Sequence, residues 1–158
     1  MSTIDRLMDS KNRLVLPPEF RKTLFSKDAE GRLILTTIHS CVRGYALPDW
    51  EPYKEDLKSK MDSADLLERN FARQVWGGAE PMLADAQGRI LLSKNLLRYA
   101  GINAAAVLVG LGDFFEIWQP ERWEACQNMD FSHVGMKKSA PAALPARIRP
   151  ARPGPRRR

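Results

Sequence analysis

The chain has 158 residues, of which 44% are hydrophobic, and its formal net charge at pH 7 is +6. This length suits one ordinary domain or two small fused domains, and the hydrophobic content excludes a protein that is disordered throughout. No apolar run approaches the roughly 18–20 residues of a membrane span, and the N-terminal residues lack the apolar stretch of a signal peptide.

The first half of the chain predicts a strand, a polar loop, a second strand, a helix and a hairpin. Residues 13–16 predict the strand that leaves the loop. A helix is expected to begin at residues 18–19, because proline and an acid are favoured in a first helical turn. Residues 33–38 and 42–47 predict the hairpin, and a closing amphipathic helix follows Pro48.

An extra helix is predicted between the two halves, over residues 63–76. Leu67, Phe71 and Val75 are spaced four residues apart and therefore share one face of this helix. The glycine pair at 77–78 is expected to end it. Such an apolar stripe is typical of a core face or of a contact with a neighbouring subunit.

The second half repeats the order of the first. Residues 89–92 predict a strand, which is followed by a helix that Ser93 can cap and Gly101 can end. Residues 106–111 and 114–118 predict a hairpin around the turn GLGD, and a closing helix follows as before.

The halves align with an offset of 76 residues, which pairs Asp9 with Asp85 and Arg13 with Arg89. Further matches are Leu14 with Ile90, Leu16 with Leu92, Phe20 with Leu96, and Lys22 with Arg98. An internal duplication of about 75 residues explains the chain length.

The repeated motif is a loop of the form Asp, three residues, Arg. The Asp carboxylate can accept backbone N–H groups of the loop, and Gly88 can adopt positive φ without steric cost. Asn12 stands at the position of Gly88 in the first copy, and asparagine tolerates the same backbone region. We predict that Asp9, Asn12, Asp85 and Gly88 shape the loops. Each arginine either braces its loop or contacts an anion.

Positive charge is concentrated at the two ends of the chain. Residues 136–158 contain eight Lys or Arg and no acid, which leaves a net charge of −2 for residues 1–135. Within residues 1–27, six basic side chains face three acids, and such a local patch favours an anionic partner. The proline-rich residues 136–158 are predicted to be disordered, either as a solubilising extension or as a non-specific contact with nucleic acid.

Residues that carry catalysis or bind metals are sparse. The two histidines, His39 and His133, are isolated, and so are Cys41 and Cys126. No nucleophile motif, metal motif or phosphate-binding loop is present in the sequence. The sequence therefore predicts a protein that is not an enzyme and needs no cofactor or metal, with free thiols in a reducing compartment.

Three segments resemble the MraZ family of bacterial transcriptional regulators: DSKNRLVLPPEF, GGAEPMLADAQGRILLSKNLLRYAGI and VLVGLGDFFEIWQPERWE. The resemblance covers about residues 4–125. It implies an α+β, β-rich fold made of a tandem, pseudo-twofold pair of AbrB-type (SpoVT-like) swapped-hairpin β-barrel modules with short helices. It also implies a cytoplasmic, nucleoid-associated, ring-shaped homo-oligomer that binds repeated sites on double-stranded DNA upstream of the division and cell-wall gene cluster.

The family motif Asp-x-x-Gly-Arg corresponds to residues 9–13 and 85–89 of this chain. The DNA-contacting residues predicted on this basis are Arg6, Lys11, Arg13, Arg21, Lys22 and Arg89. Arg13 is expected to contact a base, and the second loop is expected to contribute less because Gln87 stands at the position of Lys11. Arg6, Arg21 and Lys22 are expected to lie beside the first loop, and Lys94 beside the second.

The predicted organisation is a first module over 1–53, a connecting helical segment over 54–79, a second module over 80–124 and a tail over 136–158. The chain has more large apolar side chains than two small modules need, which favours a ring-shaped oligomer. Among them are the tryptophans Trp50, Trp76, Trp118 and Trp123. Two other readings stay open: an AbrB-like antitoxin that neutralises a toxin, and a structural ring that binds no DNA.

Overall fold

The structure is a computed structural model, which describes residues 3–134. The first repeat contains β1 (Thr3–Leu7), β2 (Arg13–Val15), α1 (Pro18–Lys27), β3 (Arg32–Ile38), β4 (Cys41–Ala46) and α2 (Leu47–Lys60). A further helix, α3 (Leu66–Gly77), follows. The second repeat contains β5 (Glu80–Leu83), β6 (Arg89–Leu91), α4 (Lys94–Ala100), β7 (Ala105–Gly110), β8 (Phe115–Trp118) and α5 (Pro120–Gln127).

The two repeats have the same order of elements, so the predicted α+β class and the internal duplication are confirmed. α1 and α4 begin where the sequence predicts. Pro18 occupies the first turn of α1, and the Ser93 hydroxyl accepts the backbone N–H of Leu96 at 3.3 Å at the start of α4. Gly101 ends α4 with a φ of 67°. α2 runs through residue 53, the predicted end of the first module.

The repeats exchange their first strands. β1 pairs with β7 of the second repeat, and β5 pairs with β3 of the first, both antiparallel. The resulting six-stranded sheet has the order β1-β7-β8-β4-β3-β5, which is symmetric about the contact between β8 and β4. Because the outer strands come from opposite repeats, neither repeat completes its half of the sheet alone.

A second ladder joins the repeats at the loops. β2 and β6 pair antiparallel as a two-stranded ribbon, in which Leu14 lies opposite Ile90. Both of these side chains are 1% exposed and point into the core. Their neighbours along each strand therefore point outward, because successive side chains of a strand alternate between faces.

Apolar side chains are buried on both faces of the six-stranded sheet. Leu33 and Leu35 of β3 face a core that is shared with the ribbon, α1 and α4. Ile34 and Ile38 face the opposite core, beneath α2 and α3. This alternation follows from the pleat of the strand.

A largely buried ion pair lies at the centre of the sheet, where the repeats meet. Arg43 of β4 is directly opposite Glu116 of β8, and its Nη2 donates to Oε2 at 2.8 Å. The Glu116 carboxylate also accepts the indole N–H of Trp118 at 3.1 Å. These bonds offset the cost of burying the charges, since a buried charge without partners would be strongly destabilising.

The extra helix is confirmed, but its predicted start is wrong. α3 begins at Leu66 rather than at Ser63, because the Asp65 carboxylate caps it by accepting the N–H of Leu67 at 2.9 Å. Val75 of the predicted apolar stripe is buried, whereas Leu67 is 69% exposed. It lies in the first turn, whereas Val75 is near the end that packs on β3, where its carbonyl accepts the Thr36 hydroxyl at 2.6 Å.

The tryptophans that suggested a ring pack within the chain itself. All four belong to the core beneath α2 and α3 or lie against it. Cys41 and Cys126 are both free, and burial raises the pKa of the Cys41 thiol. Among the described residues, 3–127 form one compact unit and 128–134 belong to a second. The predicted tail, 136–158, lies outside the described residues.

Gly44→Ala is expected to lower the free energy of unfolding by about 1–3 kcal/mol, because the new methyl group would overlap the Phe115 ring. Gly77→Ala is the matched control. A Cβ there would meet nothing within 4 Å, and the substitution should be neutral or stabilising by up to about 1 kcal/mol. Urea unfolding of both variants measures the difference. Equal stability of the two would contradict the close packing of β8 on β4.

Candidate nucleic-acid interface

The first Asp loop is organised by one carboxylate. Asp9 Oδ1 accepts the backbone N–H groups of Lys11 at 2.8 Å and of Arg13 at 2.9 Å. Asp9 Oδ2 accepts Nε of the Arg13 side chain at 2.9 Å. A single side chain therefore holds both the turn and the guanidinium.

The second loop repeats this arrangement bond for bond. Asp85 Oδ1 accepts the backbone N–H groups of Gln87 and Arg89, each at 2.9 Å. Asp85 Oδ2 accepts Arg89 Nε at 2.6 Å. Each arginine braces its own loop, and the two side chains have similar exposed fractions of 34% and 38%.

Both loops use a left-handed residue before the arginine. Asn12 has a φ of 60° and Gly88 a φ of 79°. Glycine adopts this region freely, and asparagine is among the few other residues that do so at low cost. The two residues therefore shape equivalent turns.

Hydrogen bonds stabilise the charged form of each loop carboxyl. The backbone N–H of Arg13 is the largest cause of the lowered pKa of Asp9, followed by bonds from the Arg13 side chain and Lys11. The pKa of Asp85 is lowered in the same way, with the Arg89 backbone first. A lowered pKa means that each ionised carboxylate stabilises the fold above its unfolded-state pKa, and that this contribution is lost as the pH falls through the lower folded-state pKa.

The ribbon places the two loops at its opposite ends. The backbone N–H of Leu92 donates to the Asn12 carbonyl, and that of Leu16 donates to the Gly88 carbonyl, at 2.9 and 2.8 Å. Because strand residues rise about 3.3 Å each, the loops lie roughly 13 Å apart along the ribbon. The outward face between them carries Arg13, Val15, Arg89 and Leu91.

The structure corrects the expected grouping of the basic helix residues. Arg21 and Lys22 of α1 lie beside the second loop, not the first. The aliphatic part of Arg21 covers Gly88, where a Cβ would be 3.0 Å from its Cδ. Lys94 and Arg98 of α4 line a hollow with residues of the first loop, not the second.

Arg6 also belongs near the second loop. Its Nε donates to the carbonyl of Val15 at 3.1 Å, and Val15 lies directly opposite Arg89 in the ribbon. Four cationic side chains consequently surround each end of the ribbon. At the first loop these are Lys11, Arg13, Lys94 and Arg98, and at the second Arg6, Arg21, Lys22 and Arg89.

Sequence reasoning did not include Arg98, and it expected Lys94 beside the second loop without counting it among the predicted DNA contacts. The alignment of Lys22 with Arg98 was a signal for Arg98, because equivalent positions of a pseudo-twofold fold lie in equivalent surroundings. The crossing of β2 and β6 decides which helix meets which loop, and no local pattern encodes that crossing.

The part of the chain that the structure describes, residues 3–134, has no group of three or more His, Cys, Asp or Glu side chains that could hold a metal ion. Among its helices, none combines the length and hydrophobicity required to cross a bilayer.

Arg13→Ala should raise the pKa of Asp9 only part of the way to its usual value of about 3.9, because the backbone N–H of residue 13 still donates to the carboxylate. NMR titration of the side-chain carboxyl carbon measures this shift. Arg89→Ala is the matched control: it should move Asp85 and leave Asp9 unchanged. An Asp9 titration identical in wild type and Arg13→Ala would contradict the ion pair.

Comparison with known proteins places these loops in a family. A model described as "MraZ protein, putative antitoxin-like" matches the chain twice, over residues 3–74 and 75–142. A protein of Nitratidesulfovibrio vulgaris strain Hildenborough, named Transcriptional regulator MraZ, is 45% identical over 82% of this chain and 86% of its own length.

Two further relatives have the same name. The Acidithiobacillus ferrooxidans protein is 38% identical over 76% of this chain and 82% of its own. The Clostridium tetani protein is 34% identical over 84% of this chain and 91% of its own. Two family-model matches across most of the sequence and this level of identity establish that the chain belongs to the MraZ family.

Proposed function

We propose that the chain is a DNA-binding transcriptional regulator that inserts the β2–β6 ribbon into the major groove. One observation carries this proposal: two braced arginines project from the outward face of the ribbon, and four cations surround each end. The major groove admits a two-stranded ribbon, and its edges carry the pattern that distinguishes base pairs. The names of the relatives, all transcriptional regulators, support the same conclusion.

The cations around each loop would supply most of the affinity. Lys and Arg side chains at both ends can contact phosphates and release counterions, which is independent of sequence. The contributing residues predicted from the sequence are Arg6, Lys11, Arg21 and Lys22. The helix residues Lys94 and Arg98 join them because they line the hollow beside the first loop.

Arg13 and Arg89 are the proposed base contacts. Each guanidinium is held by its aspartate before DNA arrives, so less side-chain entropy is lost on binding. The two residues are diagonal neighbours on one ribbon face, about 7–8 Å apart, which is close to two base-pair steps of about 3.4 Å. Val15 and Leu91, each 46% exposed, lie between them and could contact thymine methyl groups.

Their equal bracing supports equal roles for the two loops. This proposal differs from the sequence prediction, in which Arg89 was the lesser contact. The Lys11 charge, absent at Gln87, is matched at the second loop by Arg6 and Arg21.

Arg13→Ala and Arg89→Ala should each weaken binding to the operator by about 1–3 kcal/mol, the usual worth of a bidentate base contact, with a smaller loss on random DNA. Fluorescence anisotropy on DNA from upstream of the chain's own gene measures this. Lys58→Ala, at an exposed position of α2, is the control for loss of one charge.

Operator affinity that is unchanged in both folded arginine variants would contradict the ribbon assignment. A wild-type protein that binds neither operator nor random DNA would overturn DNA binding itself, in favour of the structural ring.

The finer family properties are proposals as well. The exchange of β1 and β5 between repeats supports AbrB-type swapped-hairpin modules, with the boundaries 1–53, 54–79 and 80–124. The family resemblance is the basis for proposing repeated sites upstream of the division and cell-wall gene cluster, and a cytoplasmic, nucleoid-associated location. The positive charge of residues 136–158 is the basis for proposing that they contact DNA non-specifically.

We also propose a ring-shaped homo-oligomer. The tryptophans are internal, so the support comes from the start of α3, where Leu66 and Leu67 are 56% and 69% exposed. Large apolar side chains exposed together are typical of interaction surfaces. A closed ring would let several ribbons meet several DNA repeats at once.

Leu67→Glu is expected to reduce the mass of the oligomer, because a carboxylate would be buried at the subunit contact. Light scattering at micromolar concentration measures the mass, and Glu68→Gln, one residue along, is the control. A wild-type monomer at that concentration, or an oligomer that is indifferent to Leu67→Glu, would contradict this surface.

A further inference from the structure

A cleft on the far side of α1 has no part in the proposed DNA interface. It has a volume of about 370 Å³ and lies between α1, the β7–β8 turn and the start of α2. This volume is within the range of small-molecule sites, roughly 300–1,000 Å³. Its apolar lining consists of Phe20, Leu24, Leu111, Phe114 and Phe115.

The aromatic wall of the cleft depends on close packing against glycines. The rings of Phe20 and Phe115 are tilted against each other with centroids 5.9 Å apart. The Phe115 ring covers Gly44, and the Phe20 ring lies 3.2 Å from where a Cβ of Gly110 would be. These side chains are therefore held in place, which leaves a preformed aromatic surface.

The polar rim of the cleft is predominantly acidic. Glu19, Asp49 and Asp113 line it together with a single cation, Lys27. The Lys27 ammonium is already paired with Asp49, at 2.6 Å between Nζ and Oδ2. The electrostatic potential of the rim therefore favours a cation over an anion.

The pseudo-twofold partner of this cleft is filled by the chain itself. α4 packs on the β3–β4 hairpin, and the hydroxyl of Tyr99 accepts the backbone N–H of Ser40 in the hairpin turn at 3.2 Å. Arg122 Nη1 donates to the carbonyls of Ser40 and Tyr99 at 3.2 and 2.9 Å. An aromatic ring and a guanidinium thus occupy the equivalent position in the other repeat.

The open cleft has a shorter side chain at the position of that ring. With the offset of 76 residues, Thr23 of α1 corresponds to Tyr99 of α4. Thr23 is exposed and lines the cleft, where its short side chain leaves the space that a tyrosine ring would fill.

We propose that this cleft binds a small aromatic cation, an aryl ring that carries a primary ammonium or guanidinium group. The aromatic wall would stack on the aryl ring, and the acidic rim would pair with the charge. In the other repeat, the equivalent position is occupied by the same two chemical features, the aromatic ring of Tyr99 and the positive charge of Arg122. Because α1 also holds Arg21 against the second loop, the bound molecule would contact a helix of the DNA interface. The binding site itself does not depend on the proposed function.

The probe is tyramine, which has a phenol ring and an ammonium group. Titration of the full-length protein, followed by NMR of backbone amides, should shift signals from α1 and from residues 110–115. The matched probes are 4-hydroxyphenylacetate, which replaces the cation by an anion, and butylamine, which lacks the ring. Both should bind roughly tenfold more weakly or not at all.

Thr23→Tyr should fill the cleft, as Tyr99 fills its partner, and weaken tyramine binding by roughly tenfold or more. Ser26→Tyr is the control, because it adds the same ring to α1 at an exposed position outside the cleft lining. It should leave tyramine binding unchanged. The thermal unfolding midpoint of each variant verifies that it is folded.

Three results would overturn the proposal. The first is the absence of any shift with millimolar tyramine. The second is equal binding of tyramine and 4-hydroxyphenylacetate, or equal binding by wild type and folded Thr23→Tyr. The third is a wild type that does not bind tyramine, together with a lower oligomer mass for Thr23→Tyr in light scattering. That combination would mean that a side chain of a second copy occupies the cleft.

Discussion

The exchange of strands between the two repeats is the constraint on which the rest of the structure depends. β1 and β5 each complete the half of the sheet that belongs to the other repeat. Without this exchange, β7 and β3 would lose the backbone partners that β1 and β5 supply. The exchange fixes the pseudo-twofold axis, and the Arg43–Glu116 pair lies where that axis crosses the sheet. The ribbon and its two loops are positioned by the same symmetry.

Within this frame, each Asp loop is a rigid unit. One carboxylate accepts two backbone N–H groups and one guanidinium N–H, and the left-handed residue closes the turn. The aspartate neutralises part of the positive charge of its arginine, which reduces the electrostatic attraction to DNA. In return, the arginine is held in one orientation. In the proposed complex with DNA, this arrangement favours selective contacts, and the general attraction to phosphate would come from the surrounding lysines and arginines.

The symmetry is approximate, and its departures distinguish the two ends of the ribbon. Lys11 has no counterpart at Gln87, whereas Arg21 covers Gly88 from α1. Likewise, Tyr99 closes one of two equivalent clefts and Thr23 leaves the other open. A duplicated chain can change one copy of a position while the other copy keeps the fold, so differences of this kind accumulate where the core does not depend on them.

The sequence by itself determined those features of the structure that depend on local chemistry. Turn preferences and side-chain periodicity account for the loop residues, the starts of α1 and α4, and both hairpins. The loop residues are Asp9, Asn12, Asp85 and Gly88. The tertiary structure decided which elements of opposite repeats meet. It placed Lys94 beside the first loop and Arg21 beside the second, and it left Leu67 exposed. These contacts join residues that are far apart in the chain, and they result from the pairing of β2 with β6 and from the exchanged strands. The core is buried only when the whole chain has folded. The local sequence of a strand or helix therefore does not specify which distant element it will pack against.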